Sequence, residues 1–179
     1  MAYRDNNIYG GSLAVKKFNG IGWTGVGYYS NNQPRISDGT IENISLAIDN
    51  DGTPIVAYRD NNIYGGSLAV KKFNGIGWTG VGYYSNNQPR ISDGTVENIS
   101  LAIDNDGTPI VAYRDNNING GSLAVKKFNG IGWTGVGYYS NNQPRISDGT
   151  VENISLAIDN DGTPIVALGI IILTVEVLL

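Results

Sequence analysis

The sequence contains neither cysteine nor histidine. Without thiols there is no disulfide framework and no thiolate metal site. Without imidazole there is no zinc finger, no histidine-held haem and no Ser-His-Asp machinery. Basic residues are also scarce: 12 Lys and Arg stand against 16 Asp and Glu, a net charge of −4, which argues against a nucleic-acid partner. The single methionine, Met1, leads into a polar stretch with no apolar segment of the signal-peptide kind. A membrane span needs about 20 apolar residues. The most apolar stretch, residues 165–179, is interrupted by Thr174 and Glu176. The chain is therefore expected to carry no signal peptide or membrane anchor and to have no membrane partner, its compartment being the cytoplasm or one the sequence does not name.

What the chain has in excess is glycine, 25 of 179 residues, alongside 41% hydrophobic residues. That combination argues against a helical bundle and against disorder by composition, and points to a turn-rich fold with a core. Self-comparison explains the excess. Residues 2–56, 57–111 and 112–166 are three copies of one 55-residue unit, differing only at Tyr9/Tyr64/Asn119 and Ile41/Val96/Val151. Such near-identity implies recent duplication or design, and every local argument applies three times.

Within one unit, four segments read as strands. Ile44–Ile48 alternates bulky and small side chains. Asp49-Asn50-Asp51-Gly52 then makes a tight turn, and Pro54–Tyr58 is a β-branched strand with proline at its permitted first position. Ser67–Phe73 alternates again, Asn74-Gly75 reads as a type I′ hairpin turn, and Gly77–Gly82 is the fourth strand. A longer break, residues 83–95, leads to the next copy. Four antiparallel strands repeated at this period read as a β-propeller blade, with a β-solenoid and a flat sandwich of paired hairpins as the rivals. The chain holds three blade equivalents, circularly permuted so that residues 2–27 bring late strands and residues 154–167 early ones.

The motif LAIDNDGTPIVAYRD with SLAVKKFNGIGWTGVG resembles that of highly repetitive bacterial β-propellers, over residues 2–166. The resemblance implies an all-β propeller of four-stranded antiparallel blades. It implies little about function, because propellers host lectins, enzymes and scaffolds. Three blades cannot surround an axis, so closure by oligomerisation is expected: a six-bladed homodimer, with a nine-bladed homotrimer as the alternative.

Residues 168–179 break the pattern. In place of YRDNNINGGSLAV the chain reads LGIIILTVEVLL. Deleting one base from the expected tyrosine codon, with suitable codons downstream, yields all twelve residues and then a stop. The tail is thus read as a frameshifted fourth repeat, its IIILTVEVLL falling where a third strand belongs.

Candidate ligand-binding residues are Trp23, Trp78 and Trp133, whose indoles suit stacking on a sugar ring. With them stand Tyr29, Tyr84 and Tyr139, and Arg35, Arg90 and Arg145, from the long loops. Inter-blade packing explains the tryptophans as well or better. The Asp49–Gly52 turn lacks the carboxylate spacing of an EF-hand and is read as a structural Asx turn, so no metal is expected. The sequon Asn43-Ile44-Ser45 leads into an inner strand and is not expected to be glycosylated. Asp38 and Glu42 show no paired-carboxylate spacing and no activated nucleophile accompanies them. The expectation is a non-enzymatic, multivalent, lectin-like binding protein without cofactor, whose partners are itself and glycans. The alternative is a structural product of a truncated, recently amplified array with no selected ligand.

Overall fold

The computed structural model describes residues 1–6, 10–27, 36–37, 39–63, 65–82, 91–92, 94–118, 120–137, 146–147 and 149–171. Among these residues there are thirteen strands and no helix, and hence no helix long and apolar enough to cross a membrane. Four antiparallel sheets follow one another along the chain. The first contains β1 (Ala2–Asp5), β2 (Ser12–Phe18) and β3 (Trp23–Gly25). The second contains β4 (Ile41–Ile48), β5 (Pro54–Asp60), β6 (Ser67–Phe73) and β7 (Trp78–Gly80). The third repeats this order with β8 (Val96–Ile103), β9 (Pro109–Asp115), β10 (Ser122–Phe128) and β11 (Trp133–Gly135). The fourth pairs β12 (Thr150–Ile158) with β13 (Pro164–Ile171). The chain is all-β, with four-stranded antiparallel sheets in sequential repeats.

The central strands show why the unit folds this way. In β5, Ile55 to Tyr58 are buried without a break, because both faces of the strand are covered. Val56 and Tyr58 pack with Leu13, Val15 and Ile41 toward the first sheet, while Ile55 and Ala57 pack with Val111 and Tyr113 toward the third. A sheet covered on both faces tolerates a continuous apolar run where a one-faced sheet would alternate. A third cluster of the same kind, around Ile110, Leu123 and Val151, joins the third and fourth sheets.

Three details differ from the sequence reading. The first strand begins three residues earlier at Ile41 and Val96, and four earlier at Thr150, because it contains a bulge: pairing of β4 with β5 shifts between Glu42 and Ser45. Asn43 sits there with φ 50°, a left-handed conformation that asparagine tolerates better than branched residues. The Asn74-Gly75 connection is not a two-residue type I′ turn. Phe73 pairs with Trp78 across residues 74–77, and only Gly75 of the two has positive φ. Asn74 instead accepts from the N–H groups of Ile76 and Gly77 through its side-chain oxygen, at 3.1 and 2.8 Å. The fourth strand shortens to Trp78–Gly80, as Gly82 turns away at φ 74°.

The tail's beginning is also placed differently from expectation. Leu168–Ile171 prolong β13, so they continue a second strand and do not start a third. Glu152 faces Gly169 and Thr150 faces Ile171. Residues 172–179 lie outside the described residues.

Candidate functional site

The same furrow recurs between consecutive sheets, at the end where the turns after β4 and β6 lie. Between the first and second sheets it is a cavity of about 870 Å³, bordered by Lys17, Phe18 and Trp23 on one side and by Pro54, Phe73 and Asn74 on the other. Between the second and third sheets it narrows to about 510 Å³, with Lys72, Pro109, Phe128 and Asn129 in the corresponding places. Sizes of this order suit small organic ligands.

Local chemistry holds these walls. The Asp49 carboxylate accepts from the N–H of Asp51 at 3.1 Å and of Thr53 at 2.8 Å, which closes the turn ahead of Pro54. Its other oxygen meets the Lys72 ammonium at 2.7 Å. Burial alone would push the Asp49 pKa up, but the Lys72 hydrogen bond and charge and the two backbone donors outweigh it and hold the carboxyl below its ordinary value. Asp104 repeats this with Lys127 at 2.7 Å and is lowered for the same reasons. The Asx-turn reading of Asp49–Gly52 thus describes what these atoms do. Among the described residues no group of three or more acidic side chains is placed to hold a metal ion.

Aromatic rings edge each furrow, Phe18, Trp23 and Phe73 the wider one and Phe128 the narrower. Phe73 and Trp78 lie 5.6 Å apart at 50°, and Phe18–Trp23 and Phe128–Trp133 repeat the arrangement. The three tryptophans are on the outermost strands, as expected, but their surroundings differ. Trp78 donates its indole N–H to the carbonyl of Val26 at 2.9 Å, and Trp133 to that of Val81 at 2.7 Å. Each also covers a glycine of the preceding repeat, Gly27 or Gly82. Trp23 makes no such bond among the described residues and is 54% exposed, bordering the larger cavity. The other candidates, Tyr29, Tyr84, Tyr139, Arg35, Arg90 and Arg145, lie outside the described residues, as does Asp38.

Sequence reasoning missed two features. Ser45, read only as one of the small residues alternating with bulky ones, accepts the N–H of Leu101 in the next sheet at 3.0 Å, and Ser100 does the same for Leu156. Ile21, Ile76 and Ile131, at the tips of the outer hairpins, are 86% exposed or more. The Asn-Gly-Ile-Gly spelling carried that second signal, since a tip residue of a hairpin has nothing to pack on.

No protein-family model matches the chain, and no curated protein sequence does. A solved structure of an endo-1,4-beta-xylanase from Bacteroides thetaiotaomicron is similar at 14% identity with a TM-score of 0.44. The similarity covers 92% of this chain and 62% of that one, so this chain spans less than two thirds of its length. The expectation of a non-enzymatic protein is corrected here: the solved structure is that of an enzyme, and the exclusion of catalysis is dropped.

Proposed function

We propose that this chain is a multivalent binding module of propeller type whose inter-sheet furrows take short carbohydrate segments. The observation that carries the reading is the recurrence of one furrow with equivalent walls, Pro54 and Phe73 in the first and Pro109 and Phe128 in the second. Aromatic rings offer a flat apolar face to a sugar ring, while Asn74 or Asn129 and a lysine at the rim offer hydrogen bonds. Two or more equivalent sites on one molecule raise apparent affinity for a polymeric ligand without any new contact.

The test is calorimetric titration with a panel of neutral oligosaccharides, with tryptophan fluorescence read in parallel and reducing ends assayed for turnover. Binding at more than one site per chain, with Phe73→Ala and Phe128→Ala each removing one, supports the reading. A flat response to every sugar overturns it.

A structural role without ligand is the second reading. It is favoured by the engagement of the Trp78 and Trp133 N–H groups with the preceding repeat, which leaves those indoles as spacers between sheets.

A further inference from the structure

The two end sheets carry complementary halves of contacts that are complete inside the chain. In the second sheet Lys72 meets Asp49 at 2.7 Å, and in the third Lys127 meets Asp104 at 2.7 Å. The first sheet has the lysine, Lys17, with no strand beside β1 among the described residues to bring an aspartate. The fourth has the aspartate, Asp159, folded in the same turn through the N–H groups of Asp161 and Thr163, with no third strand among the described residues to bring a lysine. The tryptophan bond follows the same pattern: Trp78 reaches Val26 and Trp133 reaches Val81, and among the described residues neither Trp23 nor the Val136 carbonyl has the equivalent bond. So does the serine bond, where Ser45 and Ser100 are used and Ser155 faces no following sheet among the described residues.

Apolar exposure marks the same two faces. Ile165 is 56% exposed, whereas its counterparts Ile55 and Ile110 are buried to 1% and 0%. Phe18, Trp23 and Ile48, on the opposite face, are each more than half exposed. The larger furrow is wide for the same reason: Ile55 lines the narrower one, whereas Met1 lines the wider one.

We propose that a second copy of this chain occupies that face, its β12 and the start of its β13 completing the sheet of β1, β2 and β3, and reciprocally. Asp159 of the partner subunit then meets Lys17, Trp23 donates to Val136 of the partner subunit, and Leu46 donates its N–H to Ser155 of the partner subunit. Two copies joined this way make a ring of six sheets with two-fold symmetry. The 870 Å³ furrow becomes a complete site only when the partner's Asp159 closes its wall.

The joint also decides between two competing segments. Ala2–Asp5 pair with β2 in the register that Ala57–Asp60 keep with β6. Ala167 onward occupies the same stretch of the second strand against β12. In the internal sheets this stretch brings an arginine to a glutamate, Arg59 to Glu42 at 3.2 Å and Arg114 to Glu97 at 3.3 Å. Gly169 cannot serve Glu152 in that way, but Arg4 of a second copy can. Leu168–Ile171 then give way.

Sedimentation equilibrium on the full chain tests this, with circular dichroism to confirm folding of each variant. The expected mass is twice the 19.1 kDa of one chain. Lys17→Glu and Asp159→Lys each weaken the dimer about tenfold or more, and the double variant restores it to within about threefold. Truncation after Ala167 retains or tightens the dimer. A monomer at all concentrations, a trimer, a double variant no better than the singles, or loss of the dimer on truncation overturns the proposal. Should a single variant unfold, the mass of the unsubstituted chain and of the truncated chain still decides.

Discussion

Trp133 donates its indole N–H to the carbonyl oxygen of Val81 at 2.7 Å, from the outer strand of one sheet to the sheet before it. Trp78 makes the same bond to Val26. The outer strands are only three residues long, so this bond and the Phe–Trp contact hold an edge that its own ladder secures weakly.

Trp78→Phe keeps an aromatic ring beside Phe73 but removes the donor. The expected loss is about 1 kcal/mol, or roughly 2–4 °C in melting temperature for a chain of this size. Trp133→Phe behaves alike. Trp23→Phe, measured on dilute protein, leaves melting unchanged, and an equal drop there would show that the bond contributes nothing.

Gly27 and Gly82 take φ of 75° and 74°, and a β-carbon at either would lie 2.6 Å from the indole of Trp78 or Trp133. Alanine therefore meets both a strained backbone and a clash, with an expected cost of about 2 kcal/mol or more. At Gly137, φ 77°, the nearest atom to such a carbon is on Ile146 at 3.8 Å. Gly137→Ala keeps the backbone strain alone and costs about half as much in denaturant titration.

Asp49 and Asp104 are held below the ordinary carboxylate value in the folded chain. Their contribution is fully present above the unfolded value, near 4, and is lost as pH falls from there through the depressed folded value. Melting temperature is expected to be flat in this respect from pH 7 to about 5 and to fall below about 4. In Asp49→Asn/Asp104→Asn the molecule starts less stable and falls less steeply. An unaltered acid slope in that variant would refute the assignment.

Asn43 combines a left-handed backbone with a side-chain oxygen that accepts the N–H of Asn98 at 3.1 Å. Asn43→Gly loses the bond but keeps the conformation, for an expected cost below about 1 kcal/mol. Asn43→Val loses both and costs about 2 kcal/mol. Equal stability of the two variants by urea unfolding would show that the bulge carries no conformational demand.

The candidate site was half legible in the sequence. The tryptophans were singled out because an indole on a short strand next to Gly-rich turns is conspicuous, and of the three Trp23 borders a cavity. Their different environments were not legible, because Trp23, Trp78 and Trp133 have identical neighbours in the chain and differ only in what precedes their sheet. Phe73, Pro54 and Asn74 were read as strand, strand start and turn. They border one cavity only because two sheets stack.

Short-range information determined the repeat, the strand order and the closing of each turn. A period of two and an Asx or glycine turn involve residues a few positions apart, and these forces act whatever the rest of the chain does. Contacts that join one sheet to the next link distant residues, 52 positions apart in Trp78 with Val26 and 56 in Ser45 with Leu101. Those partners are chosen by how two twisted, close-packed faces settle on each other. No local pattern encodes which serine is shielded or which furrow stays open, so only the tertiary structure decided them.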